Sequence, residues 1–394
     1  MKKILSVLLA LALTTTLFAC GQQQASNTTA ETNAAATEAP STFKVGGIGP
    51  TTGGAAVYGQ AVKNAIQIAV DEINANGGYN GYQVEYNFAD DEHDAEKAVN
   101  AYNSLKDWGM QMLIGTVTSS PCLAVADKTN ADNMFQITPS GSAAECVANP
   151  NVFRMCFSDP NQGIASAQYI SEHNLAKNVG VIYDSSDVYS TGIYEKFVQE
   201  SSGKNFKIVA EEQFTADSKT DFTTQLTKLK AADADLVFLP FYYSEAALVL
   251  NQAKQMGYAP TFFGCDGMDG ILTLENFDKS LAEGLMLLTP FSADATDDLT
   301  VKFVAEYQKR YGEIPNQFAA DAYDCAYALK LALEKANVTP TSSVSDICNA
   351  VKSAMTSITQ KGLTGDSISW QANGEPNKTP KAVVIKDGAY VLAN

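Results

Sequence analysis

The chain has 394 residues, and its 44 acidic against 27 basic side chains give a formal net charge of −17. This charge disfavours nucleic acids and anionic lipid headgroups as partners. A hydrophobic content of 45% and a charged content of 18% are ordinary for a globular protein. Arg154 and Arg310 are the only arginines, so bidentate arginine sites for phosphates or dicarboxylates are scarce.

The first 20 residues have the layout of an export signal. Lys2 and Lys3 precede the apolar run Ile4–Ala19, which is too short for a comfortable membrane span. The run ends in Leu17-Phe18-Ala19-Cys20, which resembles the lipobox of bacterial lipoproteins. We therefore expect a diacylglycerol anchor on Cys20. The alternative is a plain signal peptide with a chance cysteine.

A polar segment separates this signal from the body of the chain. Residues 21–42 contain no large apolar side chain and are predicted to be a disordered linker. The remaining ~350 residues exceed what a single core usually holds, so two domains are expected.

Apolar runs typical of strands alternate with helical patterns through most of the body. The predicted strands are Phe43–Gly49, Gln83–Ala89, Met112–Gly115, Met134–Thr138, Val179–Asp184, Phe206–Glu212, Leu236–Phe241 and Thr261–Gly264. The predicted helices are Tyr58–Ala75, Asp94–Trp108, Pro121–Asn130, Asn161–Asn174, Thr191–Ser201, Asp221–Ala231 and Ser244–Met256. This alternation predicts an α/β fold of two doubly wound parallel-sheet lobes.

Three helices follow without clear strands between them, namely Asp297–Tyr311, Gln317–Ala336 and Val344–Ser357. We expect the chain to return to the first lobe here, which gives a hinge of several crossings. Lobe 1 is then predicted to comprise residues 43–157 and 291–370, and lobe 2 residues 158–290 and 371–394.

Hydroxyl side chains follow two neighbouring strands of the first predicted sheet. Ser119 precedes Pro121 at a predicted helix start, and Ser140 and Ser142 follow the next strand. Ser142 and Glu145 have the spacing of a capping box. Ligands of parallel sheets bind beyond the carboxyl ends of the strands, and free N–H groups at helix starts attract anions. The alternative is two capped helices without a ligand.

Aromatic and acidic residues stand at other strand ends. Tyr58 follows the first strand, whereas Tyr189, Tyr242 and Asp266 follow strands of the second lobe. A carboxylate in a cleft can pair with an ammonium group. Each residue alone is a weak signal, but their shared position indicates a binding site between the lobes.

Other chemistry finds little support in the sequence. There is no Gly-x-Gly-x-x-Gly, phosphate-loop or Gly-x-Ser-x-Gly motif, and His93 and His173 are the only histidines. The acidic run Asp90–Asp94 is interpreted as a solvated helix entrance, so no cofactor, metal or catalytic residue is predicted. Six cysteines follow Cys20, and the sequence leaves open whether they are buried thiols or disulfides: Cys122, Cys146, Cys156, Cys265, Cys325 and Cys348.

Several short motifs together resemble the Leu/Ile/Val-binding protein family, the extracytoplasmic receptors of branched-chain amino acid ABC importers, which have a type I periplasmic binding protein fold. The resemblance covers about residues 43–394. Its marks are Val57-Tyr58-Gly59, Ala69–Asn74, Asp90-Asp91, Thr118-Ser119-Ser120, Ile137–Ser140, Val152–Arg154, Asp159 with Gln162-Gly163, Gly362–Gly365 and Asn373-Gly374.

The resemblance implies roles for the site residues. Ser119 corresponds to the serine that holds the ligand's α-carboxylate. Ser140 corresponds to a backbone carbonyl that meets the ammonium, and Ser142 to a threonine that touches both groups. Asp266 replaces a glutamate that pairs with the ammonium. The aromatic positions around the family's site correspond to Tyr58, Tyr189, Tyr242 and Phe318.

Three further inferences go beyond the family's site. Asp321 is an added candidate, from its place on the same helix as Phe318. The two positions of a disulfide found in some members hold His93 and Thr118 here. Cys325 and Cys348 lie on consecutive predicted helices and are suggested as a pair.

The resemblance implies a receptor that passes an aliphatic or aromatic amino acid to ABC permease subunits. We expect it to be a monomer, and the lipid anchor expected on Cys20 would tether it to the outer face of the cell membrane. A receptor for urea, a short amide or an aromatic acid is the alternative, as is a ligand sensor. An extracellular enzyme is the remaining class.

Overall fold

Residues 41–393 are the part of the chain that this computed structural model describes, and they contain twelve β-strands and ten α-helices. The predicted export signal, Cys20 and nearly all of the predicted linker lie outside the described residues. The linker was predicted to end at residue 42, but Thr42 already begins the first strand.

The first sheet has five strands, all parallel, in the order β2-β1-β3-β4-β5. They are β1 (Thr42–Gly49), β2 (Gln83–Asp90), β3 (Met112–Gly115), β4 (Phe135–Thr138) and β5 (Val152–Arg154). The helices of this region are α1 (Ala56–Ala75), α2 (Ala95–Trp108) and α3 (Ser119–Ala131). Strand β5 was not predicted, because three residues close to the predicted boundary between the lobes are too few to show a pattern.

The second sheet has seven strands in the order β12-β11-β10-β9-β8-β6-β7. They are β6 (Asn178–Asp184), β7 (Lys207–Phe214), β8 (Leu236–Leu239), β9 (Thr261–Gly264), β10 (Met286–Thr289), β11 (Lys381–Lys386) and β12 (Ala389–Leu392). Its helices are α4 (Asp159–Glu172), α5 (Val188–Ser201), α6 (Thr223–Ala231) and α7 (Tyr243–Gln255).

One edge of the second sheet departs from the predicted parallel arrangement. Strand β11 runs antiparallel to both β10 and β12. Asp387 and Gly388 join β11 to β12, and both have positive φ, 52° and 75°. Two such residues suit a tight hairpin turn, which reverses the chain within the sheet.

The last three helices are α8 (Asp298–Tyr311), α9 (Gln317–Ala336) and α10 (Val344–Met355). They pack on the first sheet's side of the molecule: α8 and α9 contact α1, and α10 contacts β4. The chain passes between the two sheets after β5, after β10 and again before β11. Below, lobe 1 and lobe 2 denote the regions around the first and second sheets.

Helix α9 begins and ends where its sequence directs. The Asn316 side chain accepts a hydrogen bond from the Ala319 N–H, which satisfies one free donor of the first turn. Asn337 ends the helix in the left-handed conformation, with φ of 52°. The start of the helix is buried, which places Phe318 next to the site described below.

The six cysteines between residues 41 and 393 are buried free thiols. The suggested Cys325–Cys348 pair is therefore wrong for this structure. Both side chains belong to the apolar core around α9 and α10, where they pack as small hydrophobic groups.

Within the described range, no helix combines the length and the apolar character that crossing a bilayer requires. The same residues contain no group of three or more His, Cys, Asp or Glu side chains placed to hold a metal ion.

Candidate functional site

A small buried cavity of about 10 Å³ lies where the loops of the two lobes meet. Its lining includes eight of the nine predicted site residues: Tyr58, Ser119, Ser140, Ser142, Tyr189, Tyr242, Asp266 and Phe318. Val117, Thr118 and Gly267 complete it. Residues separated by up to 260 positions in the sequence thus surround one space, which holds about one water molecule.

The first helix start at the cavity is formed by Ser119, the first residue of α3. Its Oγ atom accepts hydrogen bonds from the Ser142 N–H (3.2 Å) and the Ala143 N–H (3.1 Å). The predicted capping box is therefore absent. A short 3₁₀ turn, Ala144–Val147, begins there without a side-chain cap. The two segments are linked directly, since a hydroxyl of one satisfies the backbone donors of the other.

Ser140 is held by the loop that follows β3. Its hydroxyl donates to the Val117 carbonyl oxygen at 2.6 Å, and its own N–H lies 3.3 Å from Thr138 Oγ1. The same threonine oxygen accepts from the Gly141 N–H at 2.7 Å. Internal hydrogen bonds of lobe 1 therefore fix the hydroxyl side of the cavity.

Arg154, at the end of β5, supports this loop through hydrogen bonds to its backbone. The guanidinium group is fully buried and donates to the backbone oxygens of Ser142 (2.5 Å) and Ala144 (3.1 Å). It also forms a 3.1 Å ion pair with Glu375, in the segment that leads into β11. One of the chain's two arginines thus connects the serine loop to a passage between the sheets.

Asp266 provides the charged group on the opposite side, just after β9. Its side chain is only 4% exposed, and its Oδ1 atom accepts from the Tyr189 hydroxyl at 2.7 Å. The Asp266 N–H donates to the Gln162 side-chain oxygen at 3.0 Å. Burial raises the pKa of Asp266 to about 7, against the lowering effect of the Tyr189 hydroxyl bond and of the nearby Gln162 side chain. An ammonium group at this carboxylate would replace the lost solvation.

Aromatic rings occupy the space between the two sides. Tyr58 lies 4.2 Å from Phe318, measured between ring centroids, and Tyr189 stacks on Tyr242 at 4.7 Å. The Tyr58 hydroxyl, on α1, donates to the Gly267 carbonyl oxygen across the lobes at 2.5 Å. These contacts describe a closed arrangement in which side chains fill most of the site.

Asp321 does not line the cavity. Its Oδ1 atom forms a buried 2.7 Å ion pair with Lys378, which also bonds to Thr364. Burial raises the pKa of Asp321 to about 6, although the nearby Lys378 charge opposes this shift. A lysine near the passage into β11 therefore satisfies this carboxylate, and the sequence spacing that suggested a ligand contact could not reveal it.

His93 and Thr118 occupy the positions predicted to replace the family's disulfide. His93 Nδ1 and Thr118 Oγ1 are 2.9 Å apart, so a hydrogen bond joins the two residues. Burial lowers the pKa of His93, which favours the neutral ring. The His93 ring also meets Tyr242 edge-on, with 5.3 Å between centroids.

A second cavity of about 300 Å³ lies on the other side of Tyr242. Residues from both sheets surround it, including Glu92 and His93 from one and Asp187 and Glu245 from the other. Tyr242 lines both cavities, so the two cavities adjoin at this residue.

Sequence reasoning missed four residues that shape the site. Val117 and Thr118 precede Ser119, and Gly267 follows Asp266, so strand-end position could have identified all three. A β-carbon on Gly267 would lie 2.7 Å from the Tyr189 hydroxyl, which explains the glycine there. Gln162 supports Asp266 from α4, and no local pattern marks that contact.

The sequence pattern of the periplasmic binding protein family matches residues 42–389. The chain belongs to this family. The predicted resemblance and the predicted fold class are thereby confirmed, apart from the antiparallel edge of the second sheet.

Relatives and solved structures agree with this assignment. The Leu/Ile/Val-binding protein BraC3 of Rhizobium johnstonii is 29% identical over 294 residues, which cover 74% of this chain and 79% of the relative. The branched-chain amino acid transporter substrate binding protein LivJ of Streptococcus pneumoniae, solved with isoleucine, is 28% identical. The two structures superpose with a TM-score of 0.80, and the match covers 89% of this chain and 97% of the LivJ chain.

A third comparison shows the fold alone. A solute binding protein of an ABC transporter from R. palustris, solved with benzoate, is 19% identical, with a TM-score of 0.79 and coverage of 90% and 96%. The family and fold of this periplasmic binding protein are those of solute receptors that work outside the cytoplasm.

Proposed function

We propose that this periplasmic binding protein is an extracytoplasmic receptor that binds an amino acid between its lobes and delivers it to an ABC importer. The observation that carries the proposal is the chemical polarity of the cavity. Hydroxyl and N–H groups around Ser119 and Ser142 line one side, and the Asp266 carboxylate lines the other. A zwitterion has the complementary arrangement, with an acid at one end and an amine at the other.

The two sides suit the two ends of such a ligand for different reasons. The first turn of α3 offers N–H groups and the positive end of a helix dipole, which favour a carboxylate. Asp266 is a buried carboxylate without a cationic side chain among its hydrogen-bond partners, so an ammonium group would stabilise its charged form. Tyr58, Tyr189, Tyr242 and Phe318 would surround the ligand's side chain.

Binding requires the cavity to enlarge, because 10 Å³ holds no amino acid. Rotation of the Tyr242 side chain into the neighbouring 300 Å³ cavity would provide part of this room. Separation of the lobes would open the site further, and a ligand that touches both lobes would then favour closure by its differential affinity.

Isothermal titration of the purified protein with the twenty amino acids tests this proposal. We expect saturable binding of aliphatic or aromatic members, with loss of affinity for analogues that lack the α-ammonium or the α-carboxylate. Absence of heat with every amino acid, from protein first unfolded and refolded to remove any bound ligand, would contradict it.

A receptor for aromatic acids is the second candidate, favoured by the four aromatic side chains around the cavity. Benzoate lacks the ammonium group, so it would leave the Asp266 carboxylate without a cation. Titration of the wild type and of Asp266→Asn with benzoate and with phenylalanine separates the two candidates. Only the affinity for phenylalanine should depend on Asp266.

The remaining parts of the proposal concern the setting. The receptor would be anchored through a lipid on Cys20, act as a monomer, contact permease subunits in its closed form, and catalyse no reaction. Metabolic labelling with a radioactive fatty acid tests the anchor. We expect label on the full chain and none after Cys20→Ser, and equal labelling of both would exclude the anchor.

A further inference from the structure

Two buried cysteines lie side by side next to the serine loop. Cys122, in the first turns of α3, and Cys146, in the 3₁₀ turn, contact each other and Ala143 in a small apolar cluster. Both are fully buried. The Cys146 thiol also donates to the Ser119 carbonyl oxygen, with 3.8 Å between the sulfur and the oxygen.

We propose that Cys122 and Cys146, which are free thiols in this structure, form a disulfide in the exported protein. The disulfide would cross-link the two segments that present Ser119 and Ser142. The proposal stands on the contact between the two side chains and on an extracytoplasmic location, where disulfides persist. It does not depend on the identity of the ligand.

The other four cysteines offer no comparable pair. Cys265 lies against the Ser166 hydroxyl at 3.8 Å, and Cys325 and Cys348 belong to the core around α9 and α10. Cys156 is buried among charged groups, with Arg154 nearby. Cys122 and Cys146, by contrast, are two of the three buried residues in their cluster, and Ala143 is the third. No other cluster of the described residues consists mainly of cysteines.

The surroundings of Cys122 favour its reactive form. The interaction with the Cys146 side chain lowers the pKa of the Cys122 thiol, and the nearby Thr116 hydroxyl and Arg154 charge act in the same direction. The position near the start of α3 adds the positive end of a helix dipole. This effect belongs to the folded arrangement, where it makes Cys122 the better nucleophile of the two thiols.

The oxidation proceeds by thiol–disulfide exchange with an external disulfide, either a small molecule or an oxidised dithiol protein. The Cys122 thiolate attacks one sulfur of that disulfide, whose S–S bond breaks and releases one thiolate. The Cys146 thiolate then attacks the Cys122 sulfur of the mixed disulfide and releases the second. The protein loses two electrons and two protons, and the external disulfide becomes two thiols. Because both cysteines are buried, the exchange belongs to folding, before the serine loop closes.

Peptide mapping of the wild-type chain gives the direct test. The protein is secreted without reductant, unfolded in an alkylating reagent and digested for mass spectrometry. We expect a peptide containing Cys122 linked to one containing Cys146, with the other four thiols of residues 41–393 alkylated. Alkylation of both cysteines, or linkage of either one to a different cysteine, would overturn the proposal.

Thermal unfolding after refolding in mixtures of reduced and oxidised glutathione provides a second readout. Because the link would close a loop of about 25 residues, its reduction should lower the Tm by about 5 °C. Cys348→Ser is the matched control and should keep this dependence, whereas Cys122→Ser and Cys146→Ser should abolish it. A wild-type Tm that does not respond to reductant, or a response that survives in Cys122→Ser, contradicts the link.

Discussion

The two sides of the cavity differ in how completely they are satisfied before any ligand arrives. On the lobe 1 side, Ser119 and Ser140 already exchange hydrogen bonds with neighbouring backbone groups. Arg154 supports their loop through its terminal nitrogens, while its buried Nε atom makes no hydrogen bond with the described residues. On the lobe 2 side, Asp266 is a buried carboxylate with a raised pKa, and the buried Tyr242 hydroxyl lies near the Asp187 carboxyl without a hydrogen bond of normal geometry to the described residues.

This difference suggests a division of labour. The lobe 1 side is preorganised, so it can hold a ligand before closure with little further ordering. The lobe 2 side carries the cost of a buried charge, which a cationic group would offset. The free energy that couples binding to closure should therefore come mainly from Asp266 and its neighbours.

Asp266→Asn is the sharpest challenge to this comparison. Loss of a buried charge at the ammonium position should weaken amino acid binding by about 100-fold, or about 2–4 kcal/mol. The amide oxygen can still accept from Tyr189, so the fold should survive. Titration calorimetry measures the loss, with the exposed lobe 2 carboxylate of Asp217 as the control through Asp217→Asn. Equal affinities for wild type and Asp266→Asn would show that Asp266 does not hold the ammonium.

The pH dependence of binding examines the same carboxylate without a mutation. The pKa of Asp266 is about 7 in the ligand-free protein, and only its charged form pairs with an ammonium. Affinity should therefore be constant above pH 7, while the ligand's amine stays protonated, and fall by about tenfold per unit well below pH 7. Calorimetry between pH 5 and 8 measures this slope.

The Asp266→Asn variant tests whether the titration of Asp266 causes this pH dependence. Its affinity should be nearly independent of pH between 5 and 8, since the titrating group is gone. The same variant should also stabilise the ligand-free protein at pH 8. A raised folded-state pKa makes a carboxyl group stabilising at low pH, and this contribution is lost as pH rises through about 7. A slope that persists in the variant would place the titration elsewhere.

Ser119→Ala probes the preorganised side, where smaller effects are expected. Its Oγ atom accepts from two buried N–H groups, which the variant leaves without a partner, at a cost of about 1–3 kcal/mol of stability. Affinity should fall by about tenfold. Ser119→Thr should restore much of the lost stability and affinity. Ser120→Ala, in the adjacent position, should change neither stability nor affinity. A normal Tm in Ser119→Ala would mean that the Ser119 hydroxyl does not stabilise the loop.

Local pattern identified most of the cavity because its residues follow strand ends. The carboxyl ends of neighbouring parallel strands meet at one edge, so Ser119 and Ser140 could be placed together from sequence. Asp266 was found in the same way at a strand end of the second lobe, and the family resemblance supplied Phe318. The sequence failed where partners lie far apart. Lys378 pairs with Asp321 across 57 positions, and nothing near Asp321 indicates that contact.

Strand length explains only part of the remaining difference in the fold. Strand β5 has three residues, too few for a period of two to be visible. The sequence also missed β10, β11 and β12, although β10 and β12 are as long as the predicted strands β3, β4, β8 and β9, and β11 is longer. The capping box failed because Ser119 takes the backbone donors that Ser142 was expected to help organise. In this case a tertiary contact outweighs a local preference.

The smallest expected effect separates two stacked tyrosines on the lobe 2 side. Tyr189 Oη donates to Asp266 at 2.7 Å and accepts from the Gly267 N–H at 2.9 Å. The buried Tyr242 hydroxyl lies near the Asp187 carboxyl but makes no hydrogen bond of normal geometry within residues 41–393. Tyr242→Phe should therefore change the free energy of unfolding by less than about 0.5 kcal/mol, because the ring contacts remain. Tyr189→Phe should cost about 1–3 kcal/mol, since it leaves a buried carboxylate and an N–H without their partner. Chemical denaturation of the two variants measures both values. Equal losses would mean that the Tyr242 hydroxyl has a partner in solution, and the contrast between a satisfied and an unsatisfied side of the cavity would have to be redrawn.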